Sequence, residues 1–156
     1  MGLIPAVELP FDEEDLAPVE AVLTGLAAAC RGWVNLSPEV EPGQEPPPRN
    51  LVAAVFSARG ELVPLATWTP PEQMGGRATV GIEHGSGPRA IARLTTMELG
   101  LGPGWSKVVD HPRRGLVVTT PPDADPGDVL WWLLAASHAL SAVPLTGSWQ
   151  ASVYRP

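Results

Sequence analysis

Residues 105–120 read WSKVVDHPRRGLVVTT, two apolar, β-branched runs flanking the tip His111-Pro112-Arg113-Arg114. A proline and polar residues between two such runs are a turn signal, so Trp105–Asp110 and Leu116–Thr120 are expected to pair as an antiparallel hairpin. Pro121-Pro122 then ends the second arm. Asp125 caps the next element, with Pro126 at its first helical position and Asp128 three residues on, which predicts a helix to about Ala142. A last strand, Ser148–Tyr154, alternates Trp149, Ala151 and Val153 with Gln150 and Ser152.

Working back from this hairpin, Leu51–Ser57 and Glu61–Thr69 read as a second one, turning at Ala58-Arg59-Gly60. Leu51–Phe56 is apolar on both faces, as a central strand would be. Thr79–Glu83 is a further strand. Pro88–Leu99 follows as a helix, burying Ala90, Ile91, Leu94 and Met97. An earlier helix over about residues 15–31 carries the stripe Val19, Val22, Leu23, Leu26, Cys30 and stops at Gly32. Trp33–Leu36 is a short strand. Residues 1–14 read as an N-terminal arm, and residues 37–50, with five prolines, as a flexible loop.

The order α-β-β-β-β-α-β-β-α-β, with consecutive hairpins, predicts an α+β class. About three helices should pack on a mixed, mainly antiparallel sheet. The chain of 156 residues is one domain by length and long enough to bury a core without a metal or disulfide staple. Its single cysteine, Cys30, excludes an internal disulfide and sits on an apolar stripe, where it reads as a small core residue.

Charge is concentrated at one end. The first 50 residues hold nine acidic groups against Arg31 and Arg49, and the remainder balances, for a net charge of −7. No long basic run offers the phosphate attraction that nucleic-acid binding needs, and an anionic membrane would repel the chain. No signal-peptide pattern opens the sequence, and its longest apolar run, Val129–Ala136, is too short to span a bilayer. The expected location is the cytoplasm. Nine of the ten basic residues are arginine, a usage that fits GC-rich coding.

Three places could carry chemistry. The loop His84-Gly85-Ser86-Gly87-Pro88-Arg89 leads from a strand into a helix, with Arg93 one turn further on. Helix N-terminal N–H groups beside two arginines predict a cradle for a small anion, although neither the Walker nor the dinucleotide pattern is present. The tip holding His111, Arg113 and Arg114 is the second, and residues 77–115 form the only electropositive segment, six basic groups against three acidic. The third is the last helix, apolar all round at Val129–Ala136 and broken by Ser137, His138 and Ser141. Trp131 and Trp132 there are candidate interface residues for a homo-oligomer.

The three histidines lack ligand spacing, so no metal is expected, and nothing implies another cofactor. No residue set has the spacing of a catalytic pair, and no elbow presents a nucleophile. The functional expectation is a non-catalytic binding or protein-interaction module, homo-oligomeric and open to a small anionic ligand. The alternative is a small hydrolase or transferase acting on an anionic substrate, with His84 or His111 as acid–base group.

Overall fold

Alternation of apolar and polar residues builds a sheet with two unlike faces. The computed structural model describes residues 3–45 and 60–156. In chain order its elements are β1 (Val7–Asp12), α1 (Ala17–Ala29), β2 (Trp33–Val40), β3 (Leu65–Thr69) and β4 (Thr79–Glu83). They continue with α2 (Ala90–Thr96), β5 (Ser106–His111), β6 (Gly115–Thr119), α3 (Pro126–Leu140) and β7 (Leu145–Tyr154). Among the described residues the seven strands form one sheet, ordered β1-β7-β2-β3-β4-β6-β5, with every pairing antiparallel. The class is α+β, with three helices among the described residues, and from α1 onward the described elements follow the expected order. The predicted strand Leu51–Ser57 lies outside the described residues.

Register explains the layering. Val34, Trp68, Val80 and Val118 lie side by side across β2, β3, β4 and β6, as do Leu36, Ala66, Ile82 and Leu116. All eight are buried in one core with Val19, Leu23 and Leu26 of α1, Leu94 of α2, and Leu130, Leu133 and Leu140 of α3. The helices therefore cover a single face. Residues of opposite phase, including Asn35, Thr67, Gly81 and Val117, form the outer face and are half-buried.

Several local expectations need correction. Val7–Asp12, within the expected N-terminal arm, is an edge strand paired to β7. Ser37–Val40, expected to begin the flexible loop, continues β2 against β7. Pro38 is tolerated there because β3 pairs with β2 only at Val34–Leu36, so no partner on that side needs its missing N–H. Helix α1 ends two residues early, with Cys30 as a left-handed cap (φ 52°) whose thiol donates to the Ala27 carbonyl. Cys30 is thus half-buried at a helix end and not a core residue. Helix α2 stops at Thr96, which leaves Met97 exposed. The strand expected over Glu61–Thr69 is shorter, with residues 61–64 preceding β3, which pairs with β2 and β4, while the other arm of its expected hairpin lies outside the described residues.

Candidate functional site

The loop after β4 folds into a closed polar corner. His84 is fully buried, and its Nδ1 accepts the Ser86 hydroxyl at 2.8 Å and the Ser86 backbone N–H at 3.3 Å. Accepting at Nδ1 leaves the imidazole proton on Nε2, which has no hydrogen-bond partner among the described residues. Arg93 reaches back from α2 to donate to Ser86 Oγ at 3.1 Å and to the carbonyls of Gly87 and Pro88. Burial pushes the His84 pKa below the usual 6.5, the Arg93 charge pushes the same way, and Asp110 pulls it upward. Gly85 is required by close packing: a Cβ there would stand 2.8 Å from the Glu61 carbonyl oxygen.

The anion held at the start of α2 belongs to the protein itself. Asp110 Oδ1 and Oδ2 accept the N–H groups of Ala90 and Ile91, each at 3.0 Å. Arg89, expected in the first helical turn, is the N-cap in left-handed conformation (φ 58°) and supplies no side-chain cap. Its own side chain is exposed. The fold therefore brings His84, Ser86, Arg93 and Asp110 together, and Asp110 answers the free N–H groups that suggested an external anion. Sequence reasoning missed that role because Asp110 sits 20 residues from Ala90.

A bulge in the edge strand aims Asp110. Lys107 lies opposite Val118, yet Val109 lies opposite Val117, so the pairing shifts by one residue at Val108. Without that extra residue Asp110 would face outward. With it, the carboxylate stands opposite Leu116 on the helix side. The hairpin tip is also self-satisfied, since His111 Nδ1 accepts the backbone N–H groups of Arg113 and Arg114 at 3.1 Å each. Gly60 N–H donates to the Pro112 carbonyl at 2.9 Å and ties the tip to the residues leading into β3. His84 and His111 thus serve loop geometry.

Helix α3 separates its two tryptophans. Trp132 is a core residue, contrary to its expected place at an interface: its indole N–H donates to the Leu99 carbonyl at 2.9 Å, and its ring lies 5.2 Å from that of Trp105. Trp131 is 59% exposed. Ser137 and Ser141 donate to the carbonyls of Leu133 and Val143, so neither is presented as a nucleophile. His138 Nε2 instead meets Glu13 Oε1, which also accepts the Trp149 indole N–H at 2.7 Å. Glu13 was visible only as one of an acidic run.

The outer face of the sheet carries two concave surfaces. Trp33 and Tyr154, paired across β2 and β7, stack at 4.9 Å with their planes 12° apart. Thr67 donates to Asn35 Oδ1 at 2.9 Å. A cleft of about 250 Å³ runs over Leu65, Thr67, Thr79, Gly81 and Val117, and Glu83 and Arg114 stand at its end. A wider depression of about 750 Å³ crosses β1, β7 and β2 beside Pro10, Ser37 and Gln150. Neither Glu83 nor Arg114 has a side-chain partner among the described residues.

Among the described residues no three histidine, cysteine or carboxylate side chains could hold a metal ion, and no helix is long and apolar enough to cross a membrane. No family model, no curated protein and no solved structure matches this chain.

Proposed function

We propose that the protein is a cytoplasmic, non-catalytic interaction module that self-associates through the outer face of its sheet. One observation carries the reading: among the described residues the three helices lie on the inner face, while the outer face holds half-buried threonine, glycine, leucine and valine residues with an acid and a base at one end that have no side-chain partner. Two such faces can pack as stacked sheets about 10 Å apart. A twofold axis near the end of the cleft sets Glu83 of one copy against Arg114 of the other, the self-complementary pattern of an isologous dimer. The anionic group anticipated from the arginine-rich segment is then the second copy's own carboxylate.

Light scattering at micromolar concentration tests this, with a mass of twice the 16.4 kDa chain expected. Val117→Arg, placed on the outer face, should return the protein to a monomer. A monomeric wild type, or a dimer that survives Val117→Arg, would remove the reading. The hydrolase or transferase alternative leans on the 2.8 Å contact between Ser86 Oγ and His84 Nδ1. Burial of His84 and the Arg93 donation to the same hydroxyl support a structural role for that contact.

A further inference from the structure

Helix α3 turns one stripe outward: Trp131, Ala135 and His138 at i, i+4 and i+7. With Leu134 they face the β1–α1 connection, from which Glu13 and Leu16 complete a pocket of about 200 Å³. One wall is an exposed indole and another a carboxylate. Glu13 Oε1 is committed to His138 and to Trp149, whereas Glu13 Oε2 has no hydrogen-bond partner among the described residues. The surroundings are acidic as well, since Glu13 lies within Asp12-Glu13-Glu14-Asp15 in the third of the chain that holds the whole net charge.

We infer that this pocket binds an organic ammonium group, with Trp131 offering its π face and Glu13 Oε2 the counter-charge. The chemistry selects that ligand class. A negative field draws cations to the pocket mouth. An aromatic face attracts ammonium, and a quaternary one most readily because it sheds water easily. Leu16, Leu134 and Ala135 supply apolar contact for the attached carbon atoms. A small anion meets like charge there, and a neutral apolar ligand leaves Glu13 Oε2 without a partner. The same ammonium chemistry could come from a free quaternary amine or from a lysine side chain of a basic partner. This site is separate from the proposed self-association face, so either can fail without the other.

The test uses the full chain with ¹⁵N-labelled tryptophan. Trp131 reports the π face, and the Trp149 indole N–H reports Glu13 directly. Choline chloride should shift both signals saturably in the millimolar range, whereas its neutral isostere 3,3-dimethylbutan-1-ol and sodium chloride at matched ionic strength should not. N-acetyl-lysine amide forms the second arm: tighter binding of choline assigns a free quaternary ligand, and tighter binding of the lysine probe assigns a basic partner. Trp131→Ala, a change at an exposed position, should abolish saturation, and Trp131→Phe should retain it with weaker affinity. Glu13→Gln should weaken binding about tenfold, the size of one lost charge contact. Equal shifts from the neutral isostere, linear shifts, no shift with either ammonium probe, or saturation persisting in Trp131→Ala would each overturn the inference.

Discussion

The Asp110 carboxylate caps Ala90, accepting its backbone N–H at 3.0 Å and so fastening edge strand β5 to the start of helix α2. A helix of seven residues has little intrinsic stability. Its N-cap, Arg89, offers no side-chain oxygen and occupies a backbone region unfavourable to a residue with a Cβ. Asp110 compensates from another element, and it can do so only because the bulge at Val108 turns it inward.

Removing that carboxylate should therefore destabilise the fold while leaving the outer face intact. Two charge-assisted bonds to backbone N–H groups place the cost of Asp110→Ala at about 2–3 kcal/mol, a fall in Tm of very roughly 5–10 °C for a chain of this size. Asp110→Asn keeps one acceptor and should lose about half as much. Urea denaturation of both variants measures this, and Ala and Asn variants both equal to wild type would show that α2 does not depend on the cap.

His84 gives a pH dependence of known sign. Its folded pKa is lowered by burial and by Arg93, so the folded state binds fewer protons than the unfolded state. Stability gained from the neutral ring is fully present above the ordinary value of 6.5 and is lost as pH falls from there through the folded value. His84→Asn retains an acceptor for the Ser86 N–H but cannot titrate. The difference in urea midpoint between wild type and His84→Asn should therefore be constant above about pH 7 and change in the variant's favour as pH falls through about 6. A pH-independent difference would mean that His84 titrates normally.

Local signals were readable in the sequence, and cross-chain ones were not. Asp125, Pro126 and Asp128 sit within four residues, and Asp125 does accept the Asp128 N–H at 3.2 Å. Thr79–Glu83 likewise has the bounds expected of it. By contrast, β1 is interrupted by Pro10 and rich in acid, and it becomes a strand through pairing with residues about 140 positions away. Asp110 looked like a hairpin residue because no periodicity announces the bulge at Val108. The two tryptophans of α3 differ by only 100° around the helix, which suffices to bury Trp132 and expose Trp131.

Gly115 should be irreplaceable. Its φ is +87°, and a Cβ would stand 2.5 Å from the Ile82 carbonyl oxygen in the neighbouring strand. Gly115→Ala must bear both the left-handed backbone and a displaced β4, at about 2–4 kcal/mol. Gly43 has a similar φ of +80° with nothing within 4 Å among the described residues, so Gly43→Ala isolates the backbone contribution at about 1 kcal/mol. Equal losses for the two alanine variants would mean that β4 and β6 do not approach as closely as described.

The unpaired charges at the end of the outer cleft allow the sharpest check on self-association. If Glu83 of one copy faces Arg114 of the other, Glu83→Arg sets two arginines together at each of two symmetric contacts, and Arg114→Glu sets two glutamates together. Like charges at a partly exposed interface cost about 1 kcal/mol per contact, so each single variant should weaken the dimer roughly tenfold to a hundredfold. The double variant exchanges the partners and restores opposite charges at both contacts, so its dissociation constant should return to within a few fold of wild type. High salt should weaken the wild-type dimer and strengthen both single variants, because screening acts on attraction and repulsion alike. Sedimentation equilibrium measures all four proteins. Additive losses in the double variant would show that Glu83 and Arg114 do not meet across the twofold axis, even if the chain is dimeric.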